Sequence, residues 1–277
     1  MNKVISLGLG QQSVALYLMS STGYIEKADY AVFADPGVEK KETYQYLRWL
    51  LTWQKENDGI PILWVGKKSI YQDLIGKKGN RIVSMPMYTK NQDGTTGMLR
   101  RQCTEEYKIK EVNKAIKKLY GLRSKQRMPS TEIWLGISVE EMERMRHPQD
   151  VWQTTVYPLI GYKATKKEIF KIDNPLRFRR SDCTSWLRER NYPIPPKSSC
   201  IICPYQANAE WLDMKQNRPN EWKRAVRLDY SIRNSTHAGI KNPVYLHKSC
   251  IPLDKVDLGE SQVSLDFRSE CSGHCGI

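Results

Sequence analysis

The hydrophobic pattern of the first part of the chain predicts strands that alternate with helices. Residues 4–7 form a short apolar run that predicts a buried strand, residues 8–13 carry two glycines and predict a tight turn, and residues 14–20 predict a helix. The pattern repeats with a strand at 30–34 and a helix at 40–56. This alternation is typical of an α/β fold in which helices cover both faces of a mostly parallel sheet.

The pattern continues less regularly along the rest of the chain. Further strands are predicted at 61–65 and 133–137, and a further helix at 105–119. Residues 76–97 are rich in glycine and lysine, which predicts a mobile loop over a site. The basic segment 163–180 matches no element.

A change of composition divides the chain into two parts. After the proline-rich segment 193–196 the sequence becomes rich in cysteine and tryptophan. We therefore expect an α/β domain over residues 1–160. A cysteine-rich, mostly helical C-terminal region with a flexible tail is expected over residues 161–277.

Charge adds an expectation about partners. The 277 residues are 40% hydrophobic and 27% charged, which is typical of an ordered globular protein. Lys and Arg number 44 against 30 Asp and Glu, so the net charge is +14 and a polyanion is attracted. DNA or RNA is one expected partner, and a phosphorylated metabolite is the alternative.

The amino terminus and the cysteine count bear on the cellular compartment in which the protein works. Residues 1–6 lead directly into the glycine turn without an apolar leader segment, and no apolar stretch is long enough to cross a bilayer. We expect a cytoplasmic protein without a membrane partner. In a reducing compartment the seven cysteines favour metal ligation or redox chemistry over disulfides.

The glycine turn after the first strand is a candidate phosphate site. Gly8 and Gly10 let backbone N–H groups approach an anion, and the helix that follows Ser13 directs its positive end to the same place. A purely structural tight turn is the alternative. Asp35 and Gly37 follow the second strand at the edge where open α/β sheets collect ligands, which favours the phosphate site.

Several segments resemble a known family. Residues 8–13 resemble the modified phosphate-binding loop of the adenine nucleotide α-hydrolase fold. Residues 33–37 with 42–44 resemble a segment of phosphoadenosine phosphosulfate reductases. Residues 100–104 with 107–109, 134–138 with Glu140, and 196–205 resemble the reductase-like proteins of phages and mobile elements. The resemblance implies a twisted parallel sheet of about five strands flanked by helices, ATP or a related adenine nucleotide at its carboxyl edge, and sulfur chemistry.

The resemblance also implies which residues bind the nucleotide. They are Ser6, Gly8, Gly10, Gln12, Ser13, Phe33, Asp35, Gly37, Arg100, Arg101, Lys108 and Gly136. The guanidinium groups of Arg100 and Arg101 suit phosphate, although a solvated basic helix start is the alternative.

Two positions depart from the family pattern. Related ATP pyrophosphatases carry Asp where this chain has Gln12, and an amide is a poorer ligand for Mg²⁺. Sulfonucleotide reductases carry Arg after the glycine that corresponds to Gly136, where this chain has Ile137.

The cysteines predict a metal centre. Two residues separate Cys200 from Cys203, and Pro204 follows, a pattern shared by iron–sulfur, zinc and redox sites. The resemblance adds Cys103 and Cys183 as ligands and implies an iron–sulfur cluster of the 4Fe–4S type, with zinc as the alternative.

The tail is a separate feature. Gly273 lies between Cys271 and Cys275, and Gly276 follows Cys275. The reductases end in a similar flexible tail whose cysteine attacks the substrate sulfur. The resemblance thus implies that Cys271 or Cys275 is catalytic. Alternatively these cysteines and His274 ligate metal. Cys250 has apolar neighbours and is expected to be a buried structural thiol.

Three functions account for these features. The leading hypothesis is an enzyme that uses ATP to transfer sulfur to a nucleic acid or nucleotide, with a sulfur-donor protein as a further partner. The second is a sulfonucleotide reductase that uses a tail cysteine. The third is a non-catalytic nucleotide- and DNA-binding component of a phage or defence complex.

Overall fold

The structure, a computed structural model, describes residues 2–66, 68–76, 85–123, 125–174, 176–234 and 240–259. Its strands are β1 (Asn2–Ser6), β2 (Tyr30–Ala34), β3 (Ile62–Val65), β4 (Tyr88–Lys90), β5 (Thr96–Met98), β6 (Thr131–Trp134), β7 (Gln153–Tyr157), β8 (Tyr162–Ala164), β9 (Ile169–Lys171) and β10 (Val244–Tyr245). Its α-helices are α1 (Gln11–Ser21), α2 (Lys41–Glu56), α3 (Ile70–Ile75), α4 (Lys110–Leu119), α5 (Arg180–Glu189), α6 (Asn208–Asn217) and α7 (Pro219–Ile232). A π-helical turn (Glu105–Ile109) precedes α4, and 3₁₀ turns occur at Val139–Arg144 and Leu253–Lys255.

A seven-stranded sheet with the order β3-β2-β1-β6-β7-β8-β9 forms the centre of the protein. The strands from β3 to β7 in this order are parallel, and β8 and β9 extend the sheet in antiparallel pairing. The predicted α/β fold with a mostly parallel sheet flanked by helices is confirmed. Because β8 and β9 follow residue 160, the sheet continues past the predicted domain boundary, and the division at 160/161 stays a prediction.

Helices cover the two faces of the sheet through the alternation of strand side chains. Ile5 and Phe33 belong to the core shared with α1, whereas Val4 and Val32 pack with Val112 of α4. Helix α1 is buried around its whole circumference from Val14 to Met19, because α5 packs on it as well. Its nearly unbroken apolar sequence matches this position.

A further core joins the later helices to the edge of the sheet. It contains Trp211 of α6, Leu228 of α7 and Ile201, together with Val38 from the segment after β2. The backbone N–H of Ile201 donates to the carbonyl of Val38 at 2.9 Å, and Glu39 forms a β-bridge with Cys200. The Cys200 segment is therefore held against the carboxyl end of β2.

Two sequence predictions are corrected. The loop predicted at 76–97 is wrong for its described part, because β4 and β5 form a hairpin there that β10 extends; residues 77–84 lie outside the described residues. The strand predicted at 133–137 begins at Thr131 and ends at Trp134. The segment that matched no pattern, 163–180, contains most of β8, all of β9 and the start of α5.

Candidate functional site

The glycine turn places an uncapped helix start at the carboxyl end of β1. Gly10 precedes α1 with extended backbone, and no side chain of the described residues caps the first turn of the helix. Ser13 Oγ instead donates to the Gly10 carbonyl at 3.1 Å. A Cβ added to Gly10 would meet no atom within 4 Å, so the space beside the helix start is open. This geometry can receive an anion.

Gly136 supports the turn from the neighbouring strand. A Cβ on Gly136 would lie 2.7 Å from the backbone nitrogen of Ser13 and 2.8 Å from the carbonyl carbon of Gln12. The segment after β6 can therefore touch the first turn of α1 only because residue 136 is glycine. Its role here is close backbone packing.

Gln12 takes part in a buried network of charges. Its Nε2 donates to Oε2 of Glu141 at 3.1 Å, and Oε1 of the same carboxylate accepts from Arg180 at 2.9 Å. Arg144 forms a further ion pair with Glu141. Glu141 thus connects Arg144 and Arg180 to the phosphate turn. The position after Gly136, in contrast, carries no Arg.

Asp35 organises the turn that follows β2. Its Oδ1 accepts from the Gly37 N–H at 2.7 Å and from the Tyr44 hydroxyl at 2.8 Å, and its Oδ2 accepts from Trp64 Nε1 at 3.1 Å. Burial and the Asp35 carboxylate both raise the pKa of Tyr44, so the hydroxyl stays protonated. Gly66 is required beside this turn, since its φ is +111° and a Cβ would meet the Asp35 carbonyl oxygen at 2.2 Å.

A cavity of about 350 Å³ lies between the sheet and α4. Four of the predicted nucleotide-binding residues line it, namely Ser6, Gly8, Phe33 and Lys108. Its volume and its position at the ends of β1, β2 and β6 suit a small-molecule ligand. The other predicted residues, Gly10, Gln12, Ser13, Asp35, Gly37, Arg100, Arg101 and Gly136, lie outside its lining.

The segment 146–150 forms one wall of the cavity. The Arg146 N–H donates to the Tyr157 hydroxyl at 3.0 Å, and the hydroxyl donates to the Arg146 carbonyl at 3.1 Å. His147 Nδ1 lies 2.8 Å from the Thr165 carbonyl oxygen, between β8 and β9. The sequence carries no signal for this wall, because only the tertiary fold brings these segments together.

Three cysteines surround a second, smaller pocket. Cys103, Cys200 and Cys203 line a space of about 40 Å³ whose other walls include Pro204 and Tyr205. The guanidinium of Arg101 lies 5.7 Å from the centre of the Tyr205 ring. With Lys108 included, five predicted residues from two distant segments therefore line this pocket.

Lys108 lines both the cavity and the cysteine pocket. It lies on the π-helical turn before α4, a local widening of the helix that often occurs at functional sites. Its Nζ donates to Oε1 of the buried Glu39 at 3.1 Å. Burial lowers the pKa of Lys108, but the Glu39 carboxylate outweighs this effect and raises it above its ordinary value.

Burial also governs the thiols of the cysteine pocket. It raises the pKa of Cys200 well above its ordinary value, an effect that Glu39 reinforces and Lys108 opposes. Burial raises the pKa of Cys203 to about 11, whereas the Tyr205 N–H and Arg101 favour the thiolate. Without a metal both side chains are therefore thiols at neutral pH.

The structure separates Cys183 from these three cysteines. Cys183 lies on α5 in the core shared with α1, fully buried, and burial and the Asp182 carboxylate raise its pKa to about 12. Cys250 is buried as expected. The predicted catalytic residues Cys271 and Cys275 lie outside the described residues.

The sulfur atoms that line the cysteine pocket are donors of the type that soft metals prefer. Thiolates are the preferred ligands of zinc and iron–sulfur clusters. Within the described ranges, however, no group of three or more Cys, His, Asp or Glu side chains is arranged to hold a metal ion. Three cysteines line the pocket, and the fourth ligand of a complete set is not among its lining residues.

Comparison with models of known protein families gave no match, and no curated protein sequence matched the chain. None of the helices in the described part of the chain has both the length and the apolar character needed to cross a membrane.

Proposed function

We propose that this chain is an enzyme similar to phosphoadenosine phosphosulfate reductases that uses an adenine nucleotide to transfer sulfur to a nucleic acid or nucleotide. The observation that carries the proposal is the position of Lys108, which lines both the 350 Å³ cavity and the cysteine pocket. One cation is thus shared by a nucleotide-sized cavity and a group of thiols.

The nucleotide binds in the cavity with its phosphates toward the start of α1. The ends of β1 and β2 supply Ser6, Gly8 and Phe33 as walls for the nucleoside. The uncapped first turn of α1 receives phosphate, and the arginines around Glu141 add positive charge nearby. The proposal also includes two features of the fold. The sheet is of the adenine nucleotide α-hydrolase type, and the C-terminal region is cysteine-rich and mostly helical.

An iron–sulfur cluster, or zinc in its place, is held by Cys103, Cys200 and Cys203. A bound cluster would supply sulfur or electrons at this position. Lys108 and Arg101 offset the negative charge that the three thiolates acquire when they lose their protons. Cys183 is left out of this ligand set because it lies in another core.

The tail cysteines remain the proposed catalytic thiols. ATP first adenylates an oxygen of the acceptor, and pyrophosphate leaves. A sulfur-donor protein separately transfers a sulfane sulfur to Cys271 or Cys275, which forms a persulfide. This persulfide then displaces AMP, which departs with that oxygen, and the acceptor becomes linked to the protein through a disulfide. The second thiol attacks this disulfide, which releases the thiolated acceptor and leaves a protein disulfide for a dithiol reductant to reduce.

One observation favours the sulfonucleotide reductase as a second candidate. The Gln12 amide is bound to Glu141, and that carboxylate is paired with Arg144 and Arg180. A Mg²⁺–pyrophosphate group would therefore meet an amide and paired charges at the phosphate turn, whereas a reductase needs no Mg²⁺-dependent cleavage of ATP.

The test is anaerobic purification followed by iron and sulfide analysis and mass spectrometry of bound nucleotide. Turnover is then measured with ATP plus an oligonucleotide, and separately with phosphoadenylyl sulfate plus a dithiol. Oligonucleotide-dependent release of AMP with sulfur incorporated into the acceptor supports transfer, and sulfite release supports the reductase. Loss of whichever activity the full chain shows, on truncation after Arg268, supports the tail thiols. A protein that binds no adenine nucleotide contradicts both candidates.

A further inference from the structure

The β8–β9 hairpin is a basic and partly apolar edge of the large sheet. Residues 162–180 contain seven Lys and Arg against two acidic residues. Strand β9 ends the strand order, so its outer edge pairs with no strand of the described chain. All its residues are exposed, and Ile169 and Phe170 retain 36% and 38% of their accessible surface.

Three of the four lysines of this hairpin make no polar side-chain contact with the described residues. Lys166, Lys167 and Lys171 are exposed and form no ion pair or side-chain hydrogen bond with the described residues. The neighbouring Lys163, by contrast, donates to Glu132 at 2.6 Å. Edge strands usually carry charge to prevent pairing with other chains, but exposed Ile and Phe side chains on the same edge work against that purpose. The combination favours a ligand that offers both negative charge and flat apolar surface.

The hairpin adjoins the nucleotide cavity. Thr155 of β7 lines the cavity and pairs with Ala164 of β8, which in turn pairs with Ile169 of β9. Residues directly opposite one another share a face, so Ile169 lies on the cavity face of the sheet and Phe170, the next residue, lies on the other face. A polymer bound at Phe170 therefore reaches the cavity by crossing the outer edge of β9. The cavity wall is also joined to the hairpin turn, because His147 Nδ1 lies 2.8 Å from the Thr165 carbonyl oxygen.

We propose that the β8–β9 hairpin, residues 162–171, binds single-stranded nucleic acid. Lys166, Lys167 and Lys171 contact the phosphates, and an unpaired base stacks on Phe170. Single strands fit this edge better than a duplex does, because stacking on an aromatic side chain needs a base whose face is free. The inference rests on the proposed function in one respect only, the role of the bound nucleic acid. In that role the nucleic acid is the acceptor of the sulfur transfer, and the hairpin guides it to the cavity.

Fluorescence anisotropy with labelled single-stranded DNA, single-stranded RNA and duplex DNA tests the surface on the full chain. We expect Phe170→Ala to weaken single-strand binding about tenfold with little change in salt dependence. Lys166→Gln with Lys167→Gln should lower the slope of log affinity against log salt by about 1.4, the loss of two phosphate contacts. The DNA and RNA probes show whether binding depends on a deoxyribose or a ribose backbone.

A charge-matched control uses the lysines of another face. Lys114 and Lys117 lie on α4, and Lys114→Gln with Lys117→Gln removes the same charge as the hairpin pair. Equal losses from both pairs would show that net charge alone attracts the polymer and would overturn the proposal. Dimerisation that Phe170→Ala abolishes, without oligonucleotide binding, would assign the edge to a second copy of this chain and would also overturn it.

Calorimetry with ATP on the same variants separates this inference from the proposed function. Hairpin variants that lose oligonucleotide binding and keep their affinity for ATP support the assignment of the hairpin as a docking surface, independently of the proposed function. If the wild-type chain binds oligonucleotides through the hairpin but binds no nucleotide, the proposed function fails and the surface stands. If the chain binds ATP but the hairpin variants bind oligonucleotides as tightly as the wild type, the surface assignment fails alone.

Discussion

Lys108 Nζ lies 3.1 Å from Oε1 of Glu39, whose side chain has no exposed surface, and the same lysine side chain is only 12% exposed. The second carboxylate oxygen of Glu39 has no hydrogen-bond partner among the described residues. Lys108 is therefore the main stabilising contact of a buried negative charge. Because Glu39 forms a β-bridge with Cys200, this pair also fixes the segment that carries the cysteine pocket.

Replacing Lys108 by Met is expected to destabilise the protein by about 3–5 kcal/mol, since it leaves the Glu39 carboxylate buried and unpaired. Adding Glu39→Gln should recover most of this loss, because the uncompensated charge is removed. Urea unfolding of the wild type, both single variants and the double variant measures the coupling. Equal midpoints for wild type and Lys108→Met would contradict the role of the pair.

The pH dependence of this pair has a definite sign. The pKa of Lys108 is raised in the folded protein, so the stability from its charged form is complete below its unfolded pKa and falls as pH rises through the folded value. The loss of stability is expected above about pH 10. The double variant should lack this component of the alkaline transition.

Gly10 and Gly136 provide a matched pair of substitutions. Gly10→Val should leave the fold intact, because its φ of −88° and ψ of 170° suit valine and its Cβ enters open space. Its bulk occupies the space beside the start of α1, so the affinity for adenine nucleotides is expected to disappear. Gly136→Ala should instead destabilise the fold by about 1–3 kcal/mol, since its Cβ would lie 2.7 Å from the Ser13 nitrogen.

Calorimetry and thermal unfolding of both glycine variants distinguish the two roles. Nucleotide binding that persists unchanged in folded Gly10→Val protein would remove the phosphate site from the turn. Gly136→Ala protein as stable as the wild type would show that the segment after β6 can move away from α1.

The outcome of sequence prediction differs between the centre and the edges of the sheet. Strand β2 is predicted at its observed bounds because it is a compact apolar run between polar turns. Strand β9 carries no such pattern, because all its residues are exposed at the sheet edge. Its pairing partners in β8 determine its structure, and that information is tertiary.

The candidate site shows the same limit. The resemblance groups Cys103 with Cys200 and Cys203, and these three cysteines line one pocket. It also groups Cys183 with them, but the order of cysteines along a chain does not specify distance, and the helix that carries Cys183 turns it into the core against α1. The His147 wall is invisible in the sequence, because an isolated histidine has no partner until the fold brings the Thr165 carbonyl to it.

The separation of the cysteines leads to a prediction about metal content. Cys103→Ser, Cys200→Ser and Cys203→Ser are each expected to lose bound metal, because a hydroxyl replaces a thiolate poorly. Cys183→Ala should keep its metal and lose stability instead, as a buried core side chain becomes smaller. Iron, zinc and sulfide analysis of anaerobically purified variants measures the first effect, and thermal unfolding the second.

Metal loading of this pocket should also depend on pH. Since burial raises the pKa of Cys200 and Cys203, each must release a proton to bind metal, and the apparent affinity is expected to rise with pH. In the metal-free protein the same raised pKa values stabilise the fold below the unfolded cysteine pKa, and this stability falls as pH rises through the folded values. Metal loss from Cys183→Ala equal to that from Cys200→Ser would contradict the three-cysteine set.

His247 gives a prediction for the acidic range. It is 3% exposed and connects the segment after β10 to α6. The Ser249 backbone N–H donates to His247 Nδ1 at 3.2 Å, which makes Nδ1 an acceptor and places the proton on Nε2, 3.0 Å from Asn208 Oδ1. The neutral ring therefore satisfies both contacts, and a second proton on Nδ1 would oppose the Ser249 N–H.

Burial, with a smaller contribution from Lys248, lowers the pKa of His247 to about 4. A lowered folded pKa contributes stability that is complete above the unfolded value near 6.5 and is lost as pH falls through the folded value. We expect about 2–3 kcal/mol of stability to disappear between about pH 7 and pH 4. His247→Gln cannot titrate in this range, so its urea midpoint should lack this component of the pH dependence. If the urea midpoints of the wild type and His247→Gln changed with pH in parallel, His247 would protonate freely in the folded state. A neutral ring between Ser249 and Asn208 would then be the wrong description of this contact.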